Sequence, residues 1–562
     1  MNDMKKAPFY LDTEAAEWVE TTLRTMSLEE MIGQLFCPIG YSTDEGYLQN
    51  ELLDRHIGGL FFRDGASEEM QNTFRFAQEH TKIPLLIPSN LEAGGDGAAT
   101  DGTAYGKQMS IAASGKEEYA YRLGKIACSE AAALGINWAF APVVDIDMND
   151  HNPITNVRTY GSNPDHVVRY ASQYIKAAKE EGIIPTLKHF PGDGVDERDQ
   201  HLLTSVNSLS VEEWERSYGN IYRKMIALDV PAVMIGHIAL PAYEEYFGIH
   251  GEDQYRPASL SPILLKELLR KRLGFNGLII TDASPMVGFC AAMDRETAVP
   301  YSIECGCDMF LFNRDLAEDY DFMCKGYQTG ILSRERLMEA NRRILSLKAS
   351  IGLQIRQKAG TLVPKRNALE ILNCHEHKKW TQELADDSIT LVKDTQKLLP
   401  VSTQKHKHIL LEVLGNFPSK ERVMNTAKRR LEQEGFCVTT YEPEDFSTGV
   451  DNVSVIKQKY DLVIYLGNVE NASNQTTNRI QWHTFFGLGN NIPWFVHETD
   501  ALFISLANPY HLLDVPMIKT YINCYSNHDV MIETVIEKIL GRSEFKGISP
   551  IDPFCGREEL RY

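Results

Sequence analysis

Between residues 34 and 312, short apolar runs alternate with amphipathic stretches. The runs are QLFCPIG (34–40), IGGLFFR (57–63), PLLIPSN (84–90), NWAFAPVVDI (137–146), IPTLKHF (184–190), AVMIGHI (232–238), GLIITDAS (277–284) and DMFLF (308–312). Between most of them apolar positions recur at helical spacing, as in EEYAYRLGKIACSEAAALG (117–135) and PDHVVRYASQYIKAAKEEG (164–182). Strand–helix alternation predicts βαβ units and a parallel sheet, and this number of strands predicts a (β/α)8 barrel of the TIM type. The stretch 354–380, QIRQKAGTLVPKRNALEILNCHEHKKW, is polar, lacks a strand pattern and reads as a linker. Beyond it ILLEVLG (409–415), CVTTYE (437–442), DLVIYLG (461–467), ALFISLA (501–507) and TYINCYS (520–526) are separated by helical segments. They predict a smaller α/β domain, an αβα sandwich. The expected division is a barrel over 1–353, a linker over 354–380 and the sandwich over 381–562. FGLGNN (486–491) lacks the spacing and the preceding strand of a dinucleotide-binding turn.

Polar residues fall at the ends of the barrel runs: Asn90, Asp145 and Asp147, Lys188 and His189, His237, and Asp282. Strand carboxyl ends converge on one face of a barrel, where active sites are built. A single such residue would merely cap its strand. Several strands ending alike point to one site.

The densest stretch is KHFPGDGVDERDQH (188–201). Lys188 and His189 close a strand, Pro191, Gly192 and Gly194 force a turn, and Asp199 and His201 follow. Residues two apart in an extended segment point the same way, which sets Asp199 beside the His201 imidazole. A carboxylate on one ring nitrogen fixes the tautomer and raises basicity, leaving the other nitrogen to move a proton near neutral pH. In GLIITDAS, Asp282 follows apolar strand residues and would face the pocket as a nucleophile. Acetal cleavage at a sugar needs such a carboxylate together with a proton donor.

These segments resemble glycoside hydrolase family 3, and within it the β-N-acetylhexosaminidases. KHFPGDGVDERDQH is similar to that group's Lys-His-Phe-Pro-Gly-x-Gly…Asp-x-His signature, and LSPILLKELLRKRLGFNGLIITDAS (260–284) to its nucleophile segment. NPITNVRTYGSNPDHV (152–167) looks like its arginine loop, while LEEMIGQLF (28–36) and ADDSITLVKDTQKLLPV (385–401) resemble the entry to the barrel and the start of the second domain. The resemblance implies that Asp282 is the nucleophile, His201 the acid/base and Asp199 its orienting partner. It implies that Asn90, Arg158, Lys188, His189 and His237 contact the sugar. It also implies a retaining exo-β-N-acetylglucosaminidase acting through a glycosyl-aspartate. Three positions depart from the pattern. Asn90 stands where aspartate is usual, GGDGAATDG stands where an arginine is expected, with Asp96 or Asp101 as substitutes, and Asp193 stands where histidine is common.

Composition narrows the setting. A formal charge of -20 over 562 residues argues against nucleic acid and against anionic membranes as partners. No run of eighteen apolar residues occurs and the N-terminal stretch has no signal-peptide pattern. The ten cysteines lie mostly in apolar strings, as buried thiols of a reducing cytoplasm would. ECGCDMF (Cys305, Cys307) and CHEH (Cys374 to His377) lack a second pair of ligands, and the latter reads as a solvated helix start. No metal or cofactor is expected. The expected partner is a short carbohydrate bearing terminal N-acetylglucosamine, from chitin-like oligosaccharides or cell-wall fragments. Two other readings stand: a phosphorylase using the same dyad, and an inactive sugar-binding protein. The second domain packs on the barrel, shapes the pocket rim or builds a homodimer; the sequence leaves these open.

Overall fold

The structure is a computed structural model that describes residues 4–63, 65–415, 418–441, 452–485, 488–489 and 491–562. Phe486, Gly487 and Asn490 of FGLGNN lie outside them. Two compact units emerge. The first comprises residues up to Tyr105, Ala120–Asn149 and Pro164–His377; the second comprises Gly106–Tyr119, Asp150–Asn163 and Lys378–Tyr562.

The first unit holds a closed ring of parallel strands. They are β1 (two pieces, Phe36–Cys37 and Ile39–Gly40), β2 (Phe61–Phe62), β3 (Pro88–Ser89), β4 (Trp138–Ala139), β5 (Ile184–Phe190), β6 (Ala232–Ile235), β7 (Leu278–Thr281) and β8 (Phe310–Leu311). Ile39 pairs with Phe61, Gly59 bridges Leu86, Pro88 pairs with Trp138, and Trp138 pairs with Ile184. Thr186 and Leu278 both pair with Ala232, Ile280 bridges Met309, and Phe310 returns to Phe36. Every predicted run supplies one strand of this barrel. All seven residues of β5 are buried, as a strand covered on both faces must be.

The second unit is built on a six-stranded sheet. Its strands are β9 (Thr390–Asp394), β10 (His408–Leu414), β11 (Cys437–Thr440), β12 (Leu462–Gly467), β13 (Asp500–Ser505) and β14 (Thr520–Asn523), in the order β9-β14-β13-β12-β10-β11. All neighbours are parallel except β9, which runs antiparallel on β14. Side chains alternate between two cores. Ile409, Leu411 and Val413 face one, with the helices Lys420–Gln433 and Asp529–Ile539. Leu410 and Leu414 face the other, with Ile456 of the helix Val453–Lys459. This is the sandwich that the period-two pattern implies.

The expected linker is folded. Its residues form the helix Leu353–Lys358, the turn Arg366–Ile371 and the start of the helix His375–Ser388. His377 is 4% exposed, and its Nδ1 donates to the buried Glu130 at 2.6 Å. Most of the segment's polar side chains are exposed, and His377 is the one that turns inward to a buried carboxylate. Asn373 N donates to that carboxylate at 3.0 Å, and Thr103 N at 2.8 Å.

One buried group gives a stability prediction. Glu412 on β10 is 3% exposed, and its Oε1 has no hydrogen-bond partner among the described residues. Burial pushes its carboxyl up to about 8, against weaker opposition from Asn491 and Lys420. A raised carboxyl costs nothing while folded and unfolded chains are both protonated. Above the ordinary carboxylate range the unfolded chain releases the proton first, so stability falls as pH rises towards about 8. Glu412→Gln is expected to leave stability nearly unchanged at acid pH and to raise it by a few kcal/mol, in order of magnitude, at alkaline pH. Urea unfolding of both proteins across that range is the check; parallel pH dependences would refute it.

Candidate active site

β5 carries one residue more than β6 at its end. Leu187 pairs with Val233 and Phe190 with Ile235, so Lys188 and His189 together face Met234. Such a bulge re-aims side chains. Lys188 is 3% exposed, and its Nζ lies 2.5 Å from Glu92 Oε1, in the loop after β3. His189 meets Asp145, at the end of the fourth apolar run: its backbone N–H donates to Oδ1 at 3.0 Å and its Nδ1 to Oδ2 at 2.7 Å. His189 Nε2 then lies 3.9 Å from Asp282 Oδ2.

Asp199 and His201 meet as their spacing predicts. Asp199 is 1% exposed, and its Oδ1 accepts from His201 N at 2.8 Å and from His201 Nδ1 at 2.6 Å. A carboxylate can only accept, so the proton sits on Nδ1, and Nε2 is left for proton transfer. His201 itself is partly exposed.

Asp282 follows β7. Its backbone N–H donates to Ile235 O at 2.8 Å, and its Oδ1 accepts from Ala283 N at 2.7 Å. Burial, at 9% exposure, pushes its carboxyl upward, but His189, His237 and His201 together with the Ala283 N–H outweigh it. The net position is below the usual carboxylate value, which keeps Asp282 ionised. The chain just beyond it packs on the dyad loop: Val287 N donates to His201 O at 3.0 Å and Gly288 N to Gln200 O at 3.3 Å.

The remaining expected residues differ in placement. Asn90 is exposed just after β3. His237 is fully buried, its Nδ1 2.8 Å from Ser259 Oγ and its Nε2 3.1 Å from Ala283 O. The carbonyl can only accept, so Nε2 carries the proton and Ser259 donates to Nδ1. Burial pushes this imidazole down to about 4, against the pull of Asp282, so it is neutral near pH 7. His237, expected to contact the sugar, thus supports the backbone beside Asp282 instead. Arg158 lies in the second unit's segment Asp150–Asn163 and donates to Ile154 O at 3.3 Å. Asn156, Ile154 and Pro153 of that segment are held by Asn508 at 3.2 Å, Asn471 at 3.1 Å and Asn478 at 2.8 Å. Asp101 caps the helix Ser67–Glu79, accepting from Ser67 N at 3.0 Å and Oγ at 2.6 Å. It is therefore committed elsewhere and does not stand in for the absent arginine.

Sequence reasoning missed Glu92 as the counter-ion of Lys188, and saw Asp145 only as a strand end. Glu92 follows Asn90 by two residues, but nothing local pairs it with Lys188. Outer-wall grooves of about 490 and 580 Å3 hold none of these residues. Among the described residues, no group of three or more His, Cys, Asp or Glu side chains is placed to hold a metal ion. No helix among them is long and apolar enough to cross a membrane.

A closed barrel that gathers an ionised carboxylate and a carboxylate-bound imidazole at its strand ends is a catalytic barrel of the glycosidase kind. The model of the Glycosyl hydrolase family 3 N terminal domain matches residues 27–347. The chain belongs to glycoside hydrolase family 3 and is an enzyme acting on glycosides. It is 42% identical to a "Beta-N-acetylglucosaminidase/beta-glucosidase" of Cellulomonas fimi, over 99% of each chain. Among solved structures it is similar to "Beta-glucoside phosphorylase BglX", at 42% identity, 99% of each chain and a TM-score of 0.93. A glycoside hydrolase family 3 β-N-acetylglucosaminidase from Paenibacillus sp. str. FPU-7 shares the fold, at 23% identity, 94% of this chain, 99% of the other and a TM-score of 0.78.

Proposed function

We propose that the chain is a retaining exo-β-N-acetylglucosaminidase that releases terminal N-acetylglucosamine from short chitin-like or cell-wall oligosaccharides. The observation that carries this reading is the 2.6 Å Asp199–His201 bond in a loop packed on the segment that follows Asp282. In the first step a carboxylate oxygen of Asp282 attacks C1 of the sugar. The bond from C1 to the leaving oxygen breaks, and the imidazolium of His201 gives that oxygen its proton from Nε2. Asp199 stabilises the imidazolium before transfer and holds the ring after it. In the second step neutral His201 takes a proton from the incoming acceptor, whose oxygen bonds to C1 as the bond from C1 to Asp282 breaks and the carboxylate is regenerated. Lys188 and His189 are proposed to hold the sugar's hydroxyls, with Asn90 at the rim. Arg158 keeps its proposed sugar contact on the motif match. The ten cysteines are free thiols, five of them buried, which supports a reducing cytoplasmic setting.

A second reading has a specific observation in its favour. After proton transfer His201 is neutral, so it does not repel an anionic acceptor as a second carboxylate would. The likeness to a β-glucoside phosphorylase points the same way. Under it, inorganic phosphate takes the sugar from Asp282.

One experiment covers both choices. Aryl N-acetylglucosaminide and aryl glucoside are turned over with and without phosphate, and products are identified. A site that bonds the acetamide leaves polar groups unmatched when glucose binds, at about 1–3 kcal/mol each. The N-acetyl sugar is therefore expected to be preferred roughly ten- to a hundred-fold in kcat/KM. Comparable values would remove the N-acetyl assignment. For a hydrolase, phosphate is expected to change neither rate nor product. A phosphate-dependent rate with sugar 1-phosphate as product would replace the first reading with the second.

A further inference from the structure

Gln200 stands between the two members of the dyad and is 1% exposed. Its side chain spans two strand ends. Oε1 accepts from His237 N, just beyond β6, at 2.7 Å, and Nε2 donates to Asp193 Oδ2, in the turn after β5, at 3.2 Å. Its backbone carbonyl accepts from Gly288 N, beyond β7, at 3.3 Å. One residue is thus tied to the ends of three neighbouring strands.

Asp193 is fixed in turn. It is 3% exposed, its Oδ1 accepts from Gly194 N at 2.7 Å, and its own N–H donates to Asp145 Oδ1 at 2.9 Å. The Tyr218 hydroxyl donates to its carbonyl at 2.5 Å. The anchor is therefore built into the network that also holds His189.

The loop 191–204 has no regular secondary structure, so no sheet ladder sets the position of Asp199 and His201. Single anchors do so instead: Val287 N donates to the His201 carbonyl at 3.0 Å, and Gln200, adjacent to both, is tied by its backbone and by both ends of its side chain. We propose that Gln200, anchored on Asp193 and on the His237 backbone, is the positioning residue that sets the acid/base dyad relative to Asp282. An amide suits the place, since it needs one donor for a carboxylate and one acceptor for an N–H. Asp193, at a position where histidine is common in the resembling family, supplies the acceptor. The proposal rests on the reading of His201 as acid/base, and its test separates the two.

Gln200→Met keeps the volume and removes both side-chain bonds; Gln200→Glu keeps the acceptor for His237 N and loses the donor to Asp193. Each is measured on an activated aryl glycoside and on an unactivated oligosaccharide, in the full-length enzyme and in a His201→Ala background. A misplaced acid costs most where protonation limits the rate, and an error of about an ångström is worth roughly a hundred-fold. Gln200→Met is expected to lower kcat on the unactivated substrate by about that factor, with KM little changed and the activated substrate losing less than about five-fold. Gln200→Glu is expected to fall between it and the parent, which keeps the test informative if the methionine variant folds poorly. In the His201→Ala background neither substitution should cost more, since no acid is left to position. Equal losses on both substrates, or undiminished losses in that background, would mean that Gln200 only supports the fold, and would overturn the proposal. If His201→Ala itself failed to discriminate leaving groups, the dyad assignment would fall instead.

Discussion

Asp282→Ala is expected to lower kcat by roughly 10^4-fold or more on every glycoside, with thermal stability close to the parent's. The size follows from the role. Without the carboxylate no covalent intermediate forms, and the remaining groups offer only binding and protonation. Leaving-group quality should not rescue the variant, because an activated aryl group still needs a nucleophile at C1. The setting of Asp282 supports the assignment: three imidazoles and the Ala283 N–H hold its carboxyl below the usual range although it is buried. A 2-fluoro glycoside that forms the intermediate quickly and loses it slowly should add one sugar mass to the parent enzyme. Peptide mapping should place that mass on Asp282. A label on another carboxylate, or a variant retaining a tenth of the activity, would remove Asp282 from the role.

The barrel was legible because a parallel strand covered on both faces is an unbroken apolar run, and all seven residues of β5 are buried. The sandwich was legible for the related reason that alternate residues of β10 enter two separate cores. β9 was not seen as a strand. Its residues TLVKD mix buried and half-buried positions, and its partner β14 lies more than a hundred residues away. The linker was misread for a similar reason. Within CHEH, His377 is buried against Glu130, which precedes it by 247 residues, while His375 and Glu376 are exposed. Within the site, the dyad was readable because its members are two residues apart in an extended loop. The Asp145–His189 pair spans 44 residues, and the Lys188–Glu92 contact joins the ends of different strands. Such contacts are products of barrel closure and have no local signature. His237 shows the converse error. A histidine at a strand end looks like a ligand for substrate, yet both of its nitrogens are engaged by Ser259 and Ala283.

His201→Ala is expected to show an effect that depends on the substrate. Protonation of the leaving oxygen is worth about 10^2- to 10^4-fold when that oxygen is a poor leaving group. An N-acetylglucosaminyl oligosaccharide should therefore lose about 10^3-fold in kcat/KM, while a dinitrophenyl glycoside should lose roughly ten-fold or less in its first step. Release of the sugar from Asp282 also needs His201 as a base, so the variant should accumulate the glycosyl-enzyme from the activated substrate. A burst of dinitrophenol equal to the enzyme concentration is the sign of it. Asp199→Asn should give a weaker form of the same pattern. The imidazole survives, but the 2.6 Å bond to a buried carboxylate that favours the imidazolium becomes a bond to a neutral amide. The ranking on unactivated substrates is then parent, Asp199→Asn, His201→Ala, with all three much closer on the activated one. Equal losses on both substrates for His201→Ala, with no burst, would show that this imidazole neither gives nor takes the proton. The proton donor would then have to be sought elsewhere at the barrel's strand ends, with the Asp145–His189 pair, 3.9 Å from Asp282, as the first group to test.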